Sequence, residues 1–275
     1  MAIELNRRKF LTYVGTGVTA LTVASSGLGA LAPRVEAKGV DAASHLFGFN
    51  KKVSGMKFTP ILPTNQDELV LPKGYTYQVI AAYGDAINTK GDTFGFNNDF
   101  TMYFPIDGSS RGLLWVNHEY VSDLWVTGAP DVNGKYSPAQ IEKMLYNQGG
   151  SIIEVYRDAE GVWKMDTSSS YARRITGLTQ FQLTGPAKGA AAVGNVNVVQ
   201  GTFANCSGGK TLWDTVLSAE ENYEDTSEAA GLNENHYGWI VEVEPFNPSF
   251  APRQHTASGR FRHENEARGL RSEGR

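Results

Sequence analysis

The chain has 275 residues, 25 basic and 29 acidic side chains, a formal charge of −4, 41% apolar residues and one cysteine. This length suits one large domain or two small ones with a sizeable core. The acidic balance argues against nucleic acid, which needs a basic face, and is compatible with hard cations; a lone cysteine excludes an intramolecular disulfide.

Asn6-Arg7-Arg8-Lys9-Phe10-Leu11 matches the twin-arginine export pattern. Residues 11–32 are apolar but diluted by Gly15, Gly17, Thr12, Thr16, Thr19 and Thr22, too weak a run for a stable membrane span. Val35-Glu36-Ala37 offers small residues for cleavage, so residues 1–37 read as a signal peptide and the mature start falls near Lys38; an uncleaved anchor is the alternative. The expected partner during export is the twin-arginine translocase, and the expected location is periplasmic or extracellular. That route carries folded proteins, often with a cofactor already loaded, which favours a metal. Without residues 1–37 the chain keeps 21 basic against 27 acidic residues.

Residues 38–72, with Gly39, Gly48, Gly55, Pro60 and Pro63, read as an irregular wrapping arm. Extended runs rich in β-branched and aromatic residues follow at Tyr75–Tyr83, Gly112–Val116, Ser151–Arg157, Val162–Met165, Leu212–Ser218 and Tyr237–Val243. Asp158-Ala159-Glu160-Gly161 joins two of them as a hairpin. In the last run Ile240 and Glu242 alternate with Val241 and Val243, as in a half-exposed strand. One helix is expected, with Ser137 as cap, Pro138 first, and an end near Leu145. "TGPAKGAAAVGN" reads as a loop, and so does Cys206-Ser207-Gly208-Gly209. The fold class is therefore mostly β, of sandwich or propeller type, over residues 73–264. Residues 265–275 are charged and nearly free of apolar side chains; they read as a disordered natural tail or as the end of a truncated or frame-shifted fragment.

Three segments end an extended apolar run in acids: "LLWVNHEY", "TVLSAEENY" and "SGRFRHEN". If equivalent strand ends converge, Glu119, Glu220, Glu221 and Glu264 face a common point, where close carboxylates need raised pKa values or a cation. His118 and His263 precede two of these acids, but no histidine spacing supports zinc. Cys206 is either an inert small apolar residue or a thiolate held by a cation. "ANCSGGKT" is no P-loop, because Ala204 occupies the first glycine position. A cysteine-phosphatase loop would need an arginine where Leu212 stands, and no G-x-S-x-G elbow occurs.

At "FGFNNDF", "WVNHEY", "NCSGGKTLWDTVLSAEEN", "HYGWIVEVEP" and "GRFRHE", in this order from about Leu71 to Glu264, the chain resembles the PhoX-type alkaline phosphatases. The resemblance implies a β-propeller, incomplete in this chain, with an iron and calcium cluster near its axis that hydrolyses phosphate monoesters. It implies iron at Cys206 and metal ligands at Glu264 and at Glu220 or Glu221, Glu221 being preferred. It further implies calcium at Glu119, a metal ligand at Asp99 and a phosphate contact by the catalytic candidate Asn117. Members of that family continue well past "GRFRHE" and supply further acidic ligands and an arginine, for which this chain has no counterpart. Two other classes stay open: a calcium-dependent propeller lactonase or esterase, and an inactive truncated fragment or binding module.

Overall fold

The computed structural model describes residues 58–266. The signal-peptide reading of residues 1–37, most of the arm and nearly all of the tail lie outside the described residues. Residues 58–75 belong to a first unit that holds no helix or strand among the described residues; Phe58 meets Tyr75 edge-on, with ring centroids 5.6 Å apart. The second unit begins at Thr76.

The second unit is mostly β. Strands β1 (Asn98–Asp107), β2 (Arg111–His118), β3 (Gly149–Arg157) and β4 (Trp163–Met165) pair in that order, and β5 (Arg173–Ile175) pairs with the other end of β3. A second sheet runs β7 (Val198–Gln200), β6 (Gln180–Thr184), β11 (Arg253–His255), β10 (Ile240–Val243), β9 (Val216–Glu220) and β8 (Asn205–Lys210). All its pairs are antiparallel except β6 with β11. The sheets share one core: Phe104, Leu113, Trp115 and Ile152 of the first pack with Phe181, Leu183, Val216 and Val241 of the second. Such shared burial of apolar area is the main stabilising contribution to a two-layer β unit.

β2, β3, β4, the Asp158–Gly161 turn and the helix form where the sequence places them. Helix α1 (Pro138–Tyr146) opens with a full capping box: Ser137 accepts from the Gln140 N–H, and the Gln140 side chain accepts from the Ser137 N–H. At its other end the buried Arg174 guanidinium donates to the Tyr146 and Gln148 carbonyls, which have no helical N–H to accept from. A second short helix, α2 (Tyr223–Ala229), follows β9.

Several expectations need correction. Tyr75–Tyr83 forms no strand, and Tyr77 and Val79 are exposed, because no neighbouring strand pairs with it among the described residues. The Leu212–Ser218 run starts as a turn and becomes strand only from Val216. β10 is buried at all four residues, Glu242 included, as a strand inside the sheet between β9 and β11 and not a half-exposed one. Cys206-Ser207-Gly208-Gly209, read as a loop, lies within strand β8 and is held by the ladder to β9. Within the "TGPAKGAAAVGN" stretch, Ala191–Val193 closes a single 3-10 turn. No helix among the described residues is long and apolar enough to cross a membrane.

Candidate metal centre

The site is built where β1, β2 and β8 approach one another. In β1 the register steps from Asn98↔His118 to Thr101↔Val116, so Asp99 and Phe100 together face the single residue Asn117. In β8 it steps from Asn205↔Glu220 to Gly208↔Ser218, so Cys206 and Ser207 face Ala219 alone. Both are β-bulges, which re-aim side chains and occur next to functional sites. Each bulge opens with a candidate ligand, Asp99 in one and Cys206 in the other.

The two bulged residues meet Glu119, which continues β2 by one residue and is tied to the hairpin by its N–H bond to the Asn97 carbonyl, 3.0 Å. One ligand atom each from Asp99, Glu119 and Cys206 lies within 4.8 Å of the others, and the thiol stands 3.9 Å from Asp99 Oδ2. Glu119 is buried and Cys206 half-buried, while Asp99 opens to solvent. Burial, then the Asp99 carboxylate, pushes the Glu119 carboxyl up to about 7. Burial followed by Glu119, Asp99 and Glu221 pushes the Cys206 thiol well above its ordinary value. These groups repel one another as anions, and a cation among them would favour the charged forms and oppose these shifts. Two carboxylate oxygens and one sulfur on a partly open face fit a transition-metal or mixed cation site.

Glu221 lies beside the Cys206 thiol and Tyr120, and its N–H donates to the Ala204 carbonyl, 2.9 Å. It flanks the three-residue cluster at its edge. Glu264 is exposed, but its carbonyl accepts from the Ser207 N–H at 2.9 Å, which sets the "RHE" segment against the cysteine bulge. Tyr120, which the sequence reading left out, presents its hydroxyl to the Asn222 amide and lies against Glu119. Its position directly after Glu119 was the one signal that could have flagged it.

Two candidates turn away from the cluster. Glu220 is fully buried; its carboxylate accepts from Thr202 Oγ1 (2.8 Å) and from the Gly238 (2.8 Å) and Trp239 (3.0 Å) N–H groups. Burial raises its carboxyl to about 8 despite these bonds. It is a structural tie from β9 to the Gly238–Trp239 backbone, because successive side chains on a strand face opposite ways. Asn117, the expected phosphate contact, is likewise fully buried, with both ends of its amide bonded inside the protein behind the cluster. His118 also points inward, 2.7 Å from Ser151 Oγ, and burial followed by the Arg174 charge holds it well below its ordinary pKa. Gly95 makes room for that ring: a Cβ there would come within 2.5 Å of it.

A family model described as "Alkaline phosphatase PhoX" matches residues 56–275. The chain is similar to the solved structure of Pseudomonas fluorescens PhoX in complex with vanadate, a transition state analogue, at 30% identity and a TM-score of 0.66. The match covers 76% of this chain but 45% of that one, so the chain spans less than half the length of the solved relative. No curated protein sequence matches it significantly.

Proposed function

This chain belongs to the PhoX alkaline phosphatase family, and from that premise we propose that it takes part in metal-dependent hydrolysis of phosphate monoesters at the Asp99–Glu119–Cys206 centre. The carrying observation is that cluster: three ligand atoms within 4.8 Å, two of them on β-bulges, in a chain whose residues 56–275 match the family. Iron at the Cys206 thiolate, with calcium at Glu119 and the neighbouring carboxylates, is the assignment the family resemblance implies, and it is compatible with sulfur suiting the softer ion and oxygen the harder. Glu221, and Glu264 by rotation of its exposed side chain, complete the set proposed on this face.

Bound cations supply electrostatic stabilisation of a dianionic phosphoryl group, the dominant need in phosphoryl transfer. The chain's own residues do the holding. Asp99 and Glu119 present oxygens across the open end of the β1–β2 hairpin, and Cys206 adds its sulfur from β8. Tyr120, fixed by Asn222, orients the Glu119 carboxylate. We further propose twin-arginine export to the periplasm or beyond, supported by Asn6–Leu11.

The test uses the full chain with p-nitrophenyl phosphate and elemental analysis. Phosphate release should be abolished by chelation and restored by added calcium and iron. Cys206→Ala should lose iron, with activity falling by about 10²-fold or more, as expected when one group stabilising the transferring phosphoryl centre is removed. An active mutant that still carries iron would sink the cysteine assignment, and preference for a lactone over the phosphate ester would favour the lactonase reading.

A further inference from the structure

We propose that Asn117 is a positioning residue that holds the cysteine bulge in the shape that aims Cys206 at Asp99 and Glu119; the inference rests on the metal-centre reading above. A bulge breaks the ladder, so its backbone groups need partners elsewhere. The Asn117 Nδ2 amide supplies them, donating to the Cys206 carbonyl at 2.7 Å and the Ser207 carbonyl at 3.2 Å. From the other side the Ser207 N–H is taken by Glu264. The bulge is therefore clamped on both sides, and the Cys206 side chain is left facing the carboxylates.

The orientation of the amide is fixed chemically. Asn117 Oδ1 accepts from Trp115 Nε1 at 2.6 Å and from Ser218 Oγ at 2.9 Å. An indole N–H is a donor only, so the flipped amide would set two donors face to face. Ser218 Oγ in turn accepts from Asn205 Nδ2 at 2.9 Å, and Asn205 Nδ2 also reaches Thr202 Oγ1 at 2.9 Å. Thr202 Oγ1 donates to Glu220 at 2.8 Å. A buried chain of hydrogen bonds thus runs from the inward glutamate to the back of the cysteine bulge, every member fully or nearly fully buried. Such satisfied networks specify one geometry, because any slip leaves a buried polar group unpaired. Asn117 also stands opposite the Asp99–Phe100 bulge in β1. One residue accordingly braces the strands carrying two of the three ligands, the first through its backbone register and the second through its side chain.

The experiment is a titration of the metal-stripped full chain with Co²⁺ as probe, reading the thiolate-to-cobalt charge-transfer absorption and the affinity. Wild type should show the band, and Cys206→Ser should lose it. Asn117→Ala should weaken Co²⁺ binding about 10–100-fold, as loss of a residue supporting a ligand does, with the band shifted or lost in protein that remains folded by circular dichroism. Ser218→Ala, which removes one of the two bonds orienting the amide, should give a smaller loss of the same kind, and it decides the matter if Asn117→Ala does not fold. Wild-type affinity and an unchanged band in a folded variant overturn the role of Asn117 while leaving the metal centre intact. Absence of any Cys206-dependent band in the wild type overturns the metal-centre reading and this inference with it.

Discussion

Beside three carboxylates, the Cys206 thiol is pushed above its ordinary pKa, by burial and then by Glu119, Asp99 and Glu221. The residue two before it carries the local strain. Ala204 has φ of 53° and is buried, a left-handed conformation that costs a non-glycine residue about 1–2 kcal/mol. Its carbonyl accepts from Glu221 and its N–H donates to Gln148 Oε1, so the surroundings hold the kink in place where the chain enters the cysteine strand. Ala204→Gly should relieve this strain and raise unfolding stability by about 1 kcal/mol in urea titration. A fall in stability would show that packing around the Ala204 methyl outweighs the backbone strain. The sequence pointed to Glu119 and Glu221 as acids ending extended runs and to Cys206 as a thiol able to meet a cation, and to Asp99 through the resemblance alone. Its preference for Glu221 over Glu220 came from the resemblance; the physical reason, that Glu220 is the buried one, is visible only once the strand's facing is known.

At the scale of elements, the two bulges matter more than any strand's propensity. Gly208 closes the bulge in β8, and a Cβ there would stand 2.1 Å from the Leu217 carbonyl oxygen. Gly208→Ala should therefore cost roughly 1–3 kcal/mol, the usual penalty for overpacking, and should lower metal loading in the fraction that folds; thermal unfolding and elemental analysis check both. A glycine pair beside a cysteine reads as loop text, and β8 exists because the β9 ladder imposes it, a tertiary override of weak β propensity. β2, β3 and α1 were legible because their signals are local: β-branched and aromatic runs for the strands, Ser137-Pro138 with Gln140 for the helix. Tyr75–Tyr83 has the same kind of composition and yet no ladder among the described residues, since composition does not supply a partner strand.

Across the whole molecule, the second sheet is pinned by a buried acid outside the Asp99–Glu119–Cys206 cluster. Glu242 accepts from Thr215 Oγ1 (2.7 Å), Trp213 Nε1 (2.8 Å) and His255 Nε2 (2.8 Å). Burial pushes its carboxyl up, but the bonds from Trp213, Thr215 and His255 outweigh this and hold it below its ordinary value of 4.5. A depressed folded-state value contributes stability that is present above pH 4.5 and is lost as the pH falls through the folded-state value. The unfolding midpoint of the wild type should thus drop on acidification below pH 4.5, and Glu242→Gln should flatten that part of the profile. An equally steep acid limb in the variant would place the acid sensitivity elsewhere. By itself the sequence determined the mostly β character, the acidic and unpaired-thiol chemistry, and the segments able to carry ligands, because these follow from residue type and short-range pattern. Tertiary structure alone decided which acids meet. The register steps opposite Asn117 and Ala219 turn Asp99 and Cys206 toward Glu119, and Glu220 turns inward, since a side chain's facing depends on ladder register with strands distant in sequence.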